Sequence, residues 1–436
     1  MNDPQLRRED FDDCFTGEPP SPSAAGDVVR GRHLLRRRRR TAGGVVAGIV
    51  AVVVLAVPLL TSQTFGPGRF DPAETPTAVP TATIMPSACT PETISVKNAI
   101  NAPDQRPIEQ IELQPSEENG EQVMVLAVAA TGEMLLEVGR DATSKNDVVE
   151  LSPGRLYIED PVTGQRTPVR GDDDLIPKTQ TFFAAFDERF VIWIDTPDTT
   201  VNSSAWNMYA FDRVTGKISK VAGSDTAPDE DLAPHRATLW NGTVYWYEVR
   251  DTSGNQPVQF NIYSRKLDSG EPTRLLVENV HDPVAGDGWL YYQAYTTDPE
   301  AGYTIYRMSL ADGKSEIFHR ETDKSGAGLA AAGDLVAWVE GEDVLVYRGT
   351  TRIARVDGKG VRPGDLSVGD NMIGFVTGDN GANDDMLLDL RNGCRLHHLA
   401  KAEGMASVRI AGRTIAWSVP DPDQPDHRAD YIGRLR

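Results

Sequence analysis

The chain of 436 residues is poor in cysteine, lysine and histidine, with three Cys, ten Lys and seven His. Three cysteines exclude a zinc-ribbon array and a disulfide-dense scaffold, both of which need more Cys at fixed spacings. Basic charge is scarce too: 44 Lys and Arg stand against 64 Asp and Glu, a formal charge of −20. Residues 1–40 carry nine Arg and seven acidic residues, so residues 61–436 hold the whole deficit, 35 basic against 57 acidic. A body that acidic excludes nucleic acid as its main partner, because phosphate binding needs clustered Lys and Arg. Short chemical motifs are also missing. The chain has no HExxH, no GxSxG and no P-loop, which removes the usual zinc-hydrolase, nucleophile-elbow and nucleotide-binding readings. The body shows no helical apolar period.

Long hydrophobic runs are absent except for one. Residues 41–60 read TAGGVVAGIVAVVVLAVPLL, and no charge falls between Arg40 and Arg69. Twenty residues at about 1.5 Å each span roughly 30 Å, enough to cross a bilayer core as a helix. Immediately before it stand Arg30, Arg32, Arg36, Arg37, Arg38, Arg39 and Arg40, and nothing comparable follows. The positive-inside rule therefore places the N-terminus in the cytoplasm and the large C-terminal part outside. Arg36 to Arg40 are the topology-determining residues. A cleaved signal peptide is the competing reading. It calls for an apolar core of about 7–15 residues and a small-residue cleavage site, whereas this run is longer and no A-x-A follows. Residues 41–60 are thus expected to be a single-pass signal anchor in the cytoplasmic membrane.

Either side of the anchor the chain lacks the means to build a core. Residues 1–40 read as a disordered cytoplasmic tail, in which Cys14 is a plain thiol. Residues 61–88, with five Pro and six Thr, read as an extended extracytoplasmic stalk. The folded domain is expected over 89–436.

Within it two strand types recur. One ends on an aromatic: residues 190–193, 242–246, 288–292, 334–338, 370–375 and 412–417 close on Trp193, Trp246, Tyr292, Trp338, Phe375 and Trp417. Successive aromatics lie 37 to 53 residues apart, and a weaker copy runs from Gly120 through Val123, Met124 and Val125. The second type follows each of these. It carries a glycine seven positions after a Tyr or Met: Tyr157 and Gly164, Tyr209 and Gly216, Tyr263 and Gly270, Tyr306 and Gly313, Met386 and Gly393. Thr163, Thr215, Ser269, Asp312 and Asn392 precede those glycines. This is hairpin chemistry, since glycine supplies the positive φ at which two strands reverse. The fifth unit departs, with Tyr347 closing on Gly349.

Short strands at a period near 45 residues, without helices, predict an all-β propeller. Tyr431 begins a seventh unit, and Arg436 ends the chain before that unit has an outer strand. An unpaired edge invites aggregation, so an N-terminal strand, residues 93–96 or 108–113, is expected to close the ring. Seven blades is the expected count and six the alternative. In this ring Cys89 and Cys394 form a candidate disulfide between the start of the body and the sixth unit.

The Tyr-to-Gly hairpins make residues 90–436 resemble the TolB-like and WD40-like propellers of bacterial envelope proteins. The tail, Arg run, single helix and Thr/Pro stalk resemble membrane-anchored envelope proteins of actinobacteria. The Ser-Pro-Asp-Gly hairpin typical of TolB-type repeats is absent, so the match is to architecture.

No catalytic, cofactor-binding or metal residue is assigned. His397 and His398 adjoin Cys394, but neighbouring strand side chains point to opposite faces and do not readily share an ion. The acidic stretches at Asp172, Asp173 and Asp174, at 379–385, and at Asp421, Asp423 and Asp426 lack the spacing of a calcium loop. Trp193, Trp246, Trp338 and Trp417 recur at fixed repeat positions and are expected in the core. The expected function is a membrane-anchored scaffold binding a protein or envelope ligand. The alternatives are an extracytoplasmic hydrolase acting on an envelope glycan or ester, and a sensor signalling through the tail.

Overall fold

The computed structural model describes Cys89 and residues 92–436, apart from 115–116, 146–147, 178, 197–205, 225–233, 235, 251–258, 295–302, 321–326, 359–361, 380–381, 392, 404–406 and 421–427. The tail, Arg36 to Arg40, the apolar run 41–60 and the stalk 61–88 lie outside the described residues. Among the described residues no helix is long and apolar enough to cross a membrane.

Seven antiparallel sheets follow one another along the chain. Blade 1 holds Glu121–Val128, Met134–Val138, Arg155–Glu159 and Arg166–Arg170, with the short Glu117–Glu118 at its inner edge. Blade 2 holds Gln180–Phe186, Phe190–Thr196, Asn207–Asp212 and Lys217–Gly223. Blade 3 holds Ala237–Trp240, Thr243–Arg250, Gln259–Lys266 and Arg274–Glu278, and blade 4 holds Val280–Gly286, Trp289–Ala294, Thr304–Ser309 and Ser315–Arg320. Blade 5 is Ala327–Ala332, Leu335–Glu340, Asp343–Arg348 and Thr351–Asp357. Blade 6 is Arg362–Gly369, Met372–Asp379, Ala382–Asp389 and Arg395–Glu403. Blade 7 combines Val408–Ala411, Thr414–Pro420 and Arg428–Leu435 with Ile108–Gln114 from the other end of the body. The first strand of each blade packs against the first strand of the next, and the series returns from Val408–Ala411 to Glu121–Val128. That is a closed seven-bladed propeller; the six-bladed alternative is removed.

The repeat has a packing cause. In the second strand the aromatic stands opposite a third-strand residue: Trp193 opposite Tyr209, Trp246 opposite Tyr263, Tyr292 opposite Tyr306, Phe375 opposite Met386, Trp417 opposite Tyr431. The Trp193–Tyr209, Trp246–Tyr263, Tyr292–Tyr306 and Trp417–Tyr431 rings stack at centroid distances of 5.4 to 6.0 Å. Cross-strand pairs of this kind stabilise a sheet beyond their buried area. The four tryptophans are buried. The hairpin glycines Gly164, Gly216, Gly270, Gly313 and Gly393 all have φ between 66° and 85°.

Two repeat assignments need correction. Gly120 is a turn and residues 121–125 belong to the first long strand of blade 1, whose true second strand is Met134–Val138, where Leu136 faces Tyr157. A leucine hides that copy, and an inserted hairpin, Asp141–Lys145 with Val148–Ser152, pushes Tyr157 further along the chain. In blade 5 Leu345, rather than Tyr347, is in register with Trp338. Tyr347 still stacks on Trp338 from the diagonal position at 4.7 Å.

Both N-terminal segments expected as closing strands find partners, in different blades. Ile108–Gln114 pairs antiparallel with Arg428–Leu435 and closes the ring. Thr93–Ser95 adds in parallel to the outer strand of blade 5, and Ile100 bridges His397 on the outer strand of blade 6. Cys89 and residues 92–107 thus form a strap along two blade edges. Cys89 and Cys394 are bonded at its start, with Cα atoms 5.3 Å apart.

Candidate functional site

A ring of antiparallel blades sorts its connections. First-to-second and third-to-fourth strand turns leave from one face. Second-to-third strand connections and the links between blades leave from the other. The first face is made of tight turns: Asp187 to Arg189, Asn241 with Gly242, Asp287 with Gly288, Asn371 before Met372. Their stereochemistry is local. In blades 1 and 2 Asp160 Oδ1 accepts from the Val162 and Thr163 N–H groups at 2.8 and 3.1 Å, and Asp212 Oδ1 repeats this with Val214 and Thr215. Desolvation opposes ionisation of Asp212, but the N–H donors and Arg189 prevail and hold its carboxyl below the ordinary value.

The second face carries the long connections. Those at 171–179, 197–205, 225–235, 251–258, 295–302, 321–326 and 421–427 contain sixteen Asp and Glu against two Lys.

Beneath this face, between blades 1 and 2, lies a buried ionic network. Glu137 ends the second strand of blade 1, Arg170 ends its fourth, and Asp195 ends the second strand of blade 2; their exposures are 0, 1 and 2%. The Arg170 guanidinium donates to Asp195 Oδ1 and Oδ2 at 2.9 and 3.1 Å, to Thr181 Oγ1 at 2.9 Å, and to the Gly154 carbonyl. Glu137 Oε1 accepts from Thr181 Oγ1 at 2.9 Å and from the Gly154 N–H at 3.1 Å. Its other oxygen lies 3.6 Å from Arg140. Gly154 is required there: a Cβ would meet Glu137 Cγ at 2.5 Å and the Val138 carbonyl at 2.8 Å. Burial pushes the Asp195 carboxyl up, opposed by Arg170 and by the Trp193 indole, while the nearby Glu137 charge adds to the rise. These charges pair with one another and are shut off from solvent, so their role is to join two blades, although Arg170 Nε and Glu137 Oε2 find no hydrogen-bond partner among the described residues.

The same element recurs. Trp193 donates to Asp195 at 3.2 Å and Trp246 to Glu248 at 2.8 Å, in each case two residues along the strand. In the third instance, Trp338 and Glu340, the carboxylate turns to His319 of blade 4 at 3.5 Å and His319 packs on the Trp338 ring at 4.9 Å. Burial raises the Glu248 carboxyl, with the Trp246 indole opposing. The Trp-x-acid pattern is visible in the sequence as 193–195, 246–248 and 338–340, though reading the aromatics alone passes over it.

The residues weighed from sequence fall apart. Asp172 to Asp174 form an exposed 3-10 turn. The stretch 379–385 is largely strand, with Asp384 bonded to His398 Nε2 at 3.1 Å and Asp385 buried. Asp421, Asp423 and Asp426 lie outside the described residues. His397 and His398 diverge: His397 is 1% exposed and turns inward beneath the strap. Burial pushes its imidazole below the ordinary value; Asp389 opposes this, and Arg395 and Arg106 add to it. Among the described residues no group of three or more His, Cys, Asp or Glu could hold a metal.

No protein-family model matches the chain, and no curated protein matches it. Solved structures similar in fold include a prolyl endopeptidase at 10% identity and TM-score 0.46, covering 71% of this chain and 47% of that one. The chain therefore spans about half the length of that enzyme. The β-propeller domain of the trilobed protease from Pyrococcus furiosus is 11% identical, with TM-score 0.45 over 68% of this chain and 91% of that one. TolB from Acinetobacter baumannii is 11% identical, with TM-score 0.38 over 70% and 82%. These likenesses concern the fold, and no residue role is carried over from them.

Proposed function

We propose that the chain is a single-pass membrane protein whose propeller, held outside the cytoplasmic membrane, is a binding scaffold of the cell envelope. It receives a cationic protein segment or envelope ligand on the face of the long connections. The composition of the connections carries this reading: by sequence, the seven long second-to-third-strand and inter-blade connections hold sixteen acidic residues against two Lys. Such a field attracts and orients a positively charged partner. Arg36 to Arg40 and the apolar run 41–60 support the anchor.

The test is in-cell crosslinking of the tagged full-length chain, with crosslinked residues identified. The expected result is one reproducible partner, crosslinked within the long connections and lost progressively as ionic strength rises past the range where the Debye length is about 8–10 Å. Crosslinks confined to the tight-turn face, or hydrolytic turnover by the purified chain, would overturn the proposal.

A further inference from the structure

The outer edges of the blades are not treated alike. The strap covers those of blades 5 and 6, and blade 7 is finished by Ile108–Gln114. Blades 1 to 4 each end in a strand with no further strand beyond it among the described residues. An open edge is a template for another chain unless charge or proline blunts it. Three of the four carry charge or proline inside the strand, although Ile317 of Ser315–Arg320 is 43% exposed. Arg166–Arg170 contains Pro168 between two Arg, Lys217–Gly223 contains Lys217 and Lys220, and Ser315–Arg320 contains Glu316, His319 and Arg320. In blade 3 Arg274–Glu278 places Leu275, Leu276 and Val277 in a row between its terminal charges, and Leu275 is 45% exposed.

Beside this edge, blades 3 and 4 part into a cleft of about 420 Å³. Tyr245, Leu276, Met308 and Leu310 form its apolar lining, and Lys266 and Arg274 stand among them. The lining also holds Arg265, Glu271 and Asp312; Asp312 is paired with Lys314 at 2.9 Å, Lys266 lies 3.9 Å from Asp268, and Arg265 donates to the Lys220 and Val221 carbonyls, so Arg274 is the cation left to meet a carboxylate.

The molecule itself shows what fills such a place. On blade 5 Thr93–Ser95 pairs in parallel with Arg355, Val356 and Asp357, and Ile94, Val96 and Ala99 pack into the core between blades 5 and 6. We propose that the outer strand of blade 3 is a β-augmentation site. It takes an extended segment of a partner protein as a fifth strand, with an apolar side chain entering the blade 3–4 cleft and a carboxylate meeting Arg274. Main-chain hydrogen bonds supply affinity in this mode, and pockets for alternate side chains supply specificity. The site lies on the rim, away from the acidic face, so it shares with the proposed function only that the partner is a protein.

The test uses the full-length chain and a displayed library of random decapeptides. Enriched peptides are expected to alternate apolar and polar residues, to carry an acidic residue, and to slow amide hydrogen exchange across Arg274–Glu278. Leu275→Lys, which blunts an exposed position, and Arg274→Glu should each weaken binding at least tenfold while leaving the melting temperature unchanged. Replacing the peptide's acid by Lys should restore binding to Arg274→Glu. Peptides that protect another edge or the acidic face, or that bind both variants as tightly as the native chain, overturn the proposal. A native chain that dimerises in sedimentation and becomes monomeric on Leu275→Lys also overturns it, since the occupant is then a second copy. Failure here leaves crosslinking to the acidic face untouched, so the two readings are separable.

Discussion

Arg170 is one guanidinium set between carboxylates from two blades, with exposure of 1%. Breaking a buried pair by removing one member is far more costly than the pair is worth, because the remaining charge stays desolvated. Arg170→Met therefore strands the Asp195 carboxylate near that of Glu137, which keeps only Arg140 at 3.6 Å, and denaturant titration should record a loss of about 3–5 kcal/mol. Combining it with Glu137→Gln and Asp195→Asn removes the stranded charge and should recover much of that loss. Glu248 is the opposite case, a buried carboxylate held by one indole donor. Its folded value is raised, so its contribution to stability is fully present below the unfolded value and is lost as pH rises through the folded one. Glu248→Gln keeps an acceptor for Trp246 without the charge. Its melting temperature should exceed that of the native chain at pH 7, and the difference should vanish as pH falls towards about 4. Neither role could be read from the sequence with certainty. The Trp-x-acid spacing is there to be seen, but whether the acid meets an indole, an arginine or a histidine depends on which residue the neighbouring blade presents.

The strand is the scale at which the sequence was most legible. Hairpin glycines with positive φ and aromatics at fixed offsets leave their marks in the sequence, so six second strands and five glycine hairpins fall where the repeat puts them. Blade 1 departs from the repeat because Leu136 does the work an aromatic does elsewhere, and burial accepts either. Closure was legible only as a need for a donor. Two segments of similar apolarity compete for that need, and the choice rests on long-range register. Gly433 records the outcome: a Cβ there would run into Ile108 and Trp417 and come within 3.2 Å of the Glu109 carbonyl. The closing strand sits too close to tolerate a side chain. Gly433→Val should force Ile108–Gln114 away from Arg428–Leu435, at a cost of about 1–3 kcal/mol or more from overpacking. The readout is selective: amide exchange should accelerate in blade 7 and in 108–114, while the strand pairing of blades 2 to 4 remains protected.

For the whole molecule, the proposed topology makes a demand that the cysteines can answer. Cys14 lies before the apolar run, and Cys89 and Cys394 lie after it, joined across 305 residues of chain. Structural disulfides persist in oxidising compartments and are rare in reducing cytoplasm. If Arg36 to Arg40 hold the N-terminus inside and 41–60 cross the membrane, the three thiols are divided between two redox environments. Chain-entropy arguments give a bond closing so long a loop up to about 5 kcal/mol of stabilisation, so the folded body also favours keeping it. Cells quenched in acid, denatured without reductant and treated with a maleimide-linked polymer should yield chain carrying one adduct, on Cys14. Reduction before labelling should give three adducts, and Cys14→Ser should give none until reduced. Three adducts without reduction would place the body in the cytoplasm. That result would remove the anchor from the proposal while leaving the propeller, its acidic face and the open edge of blade 3 as they are.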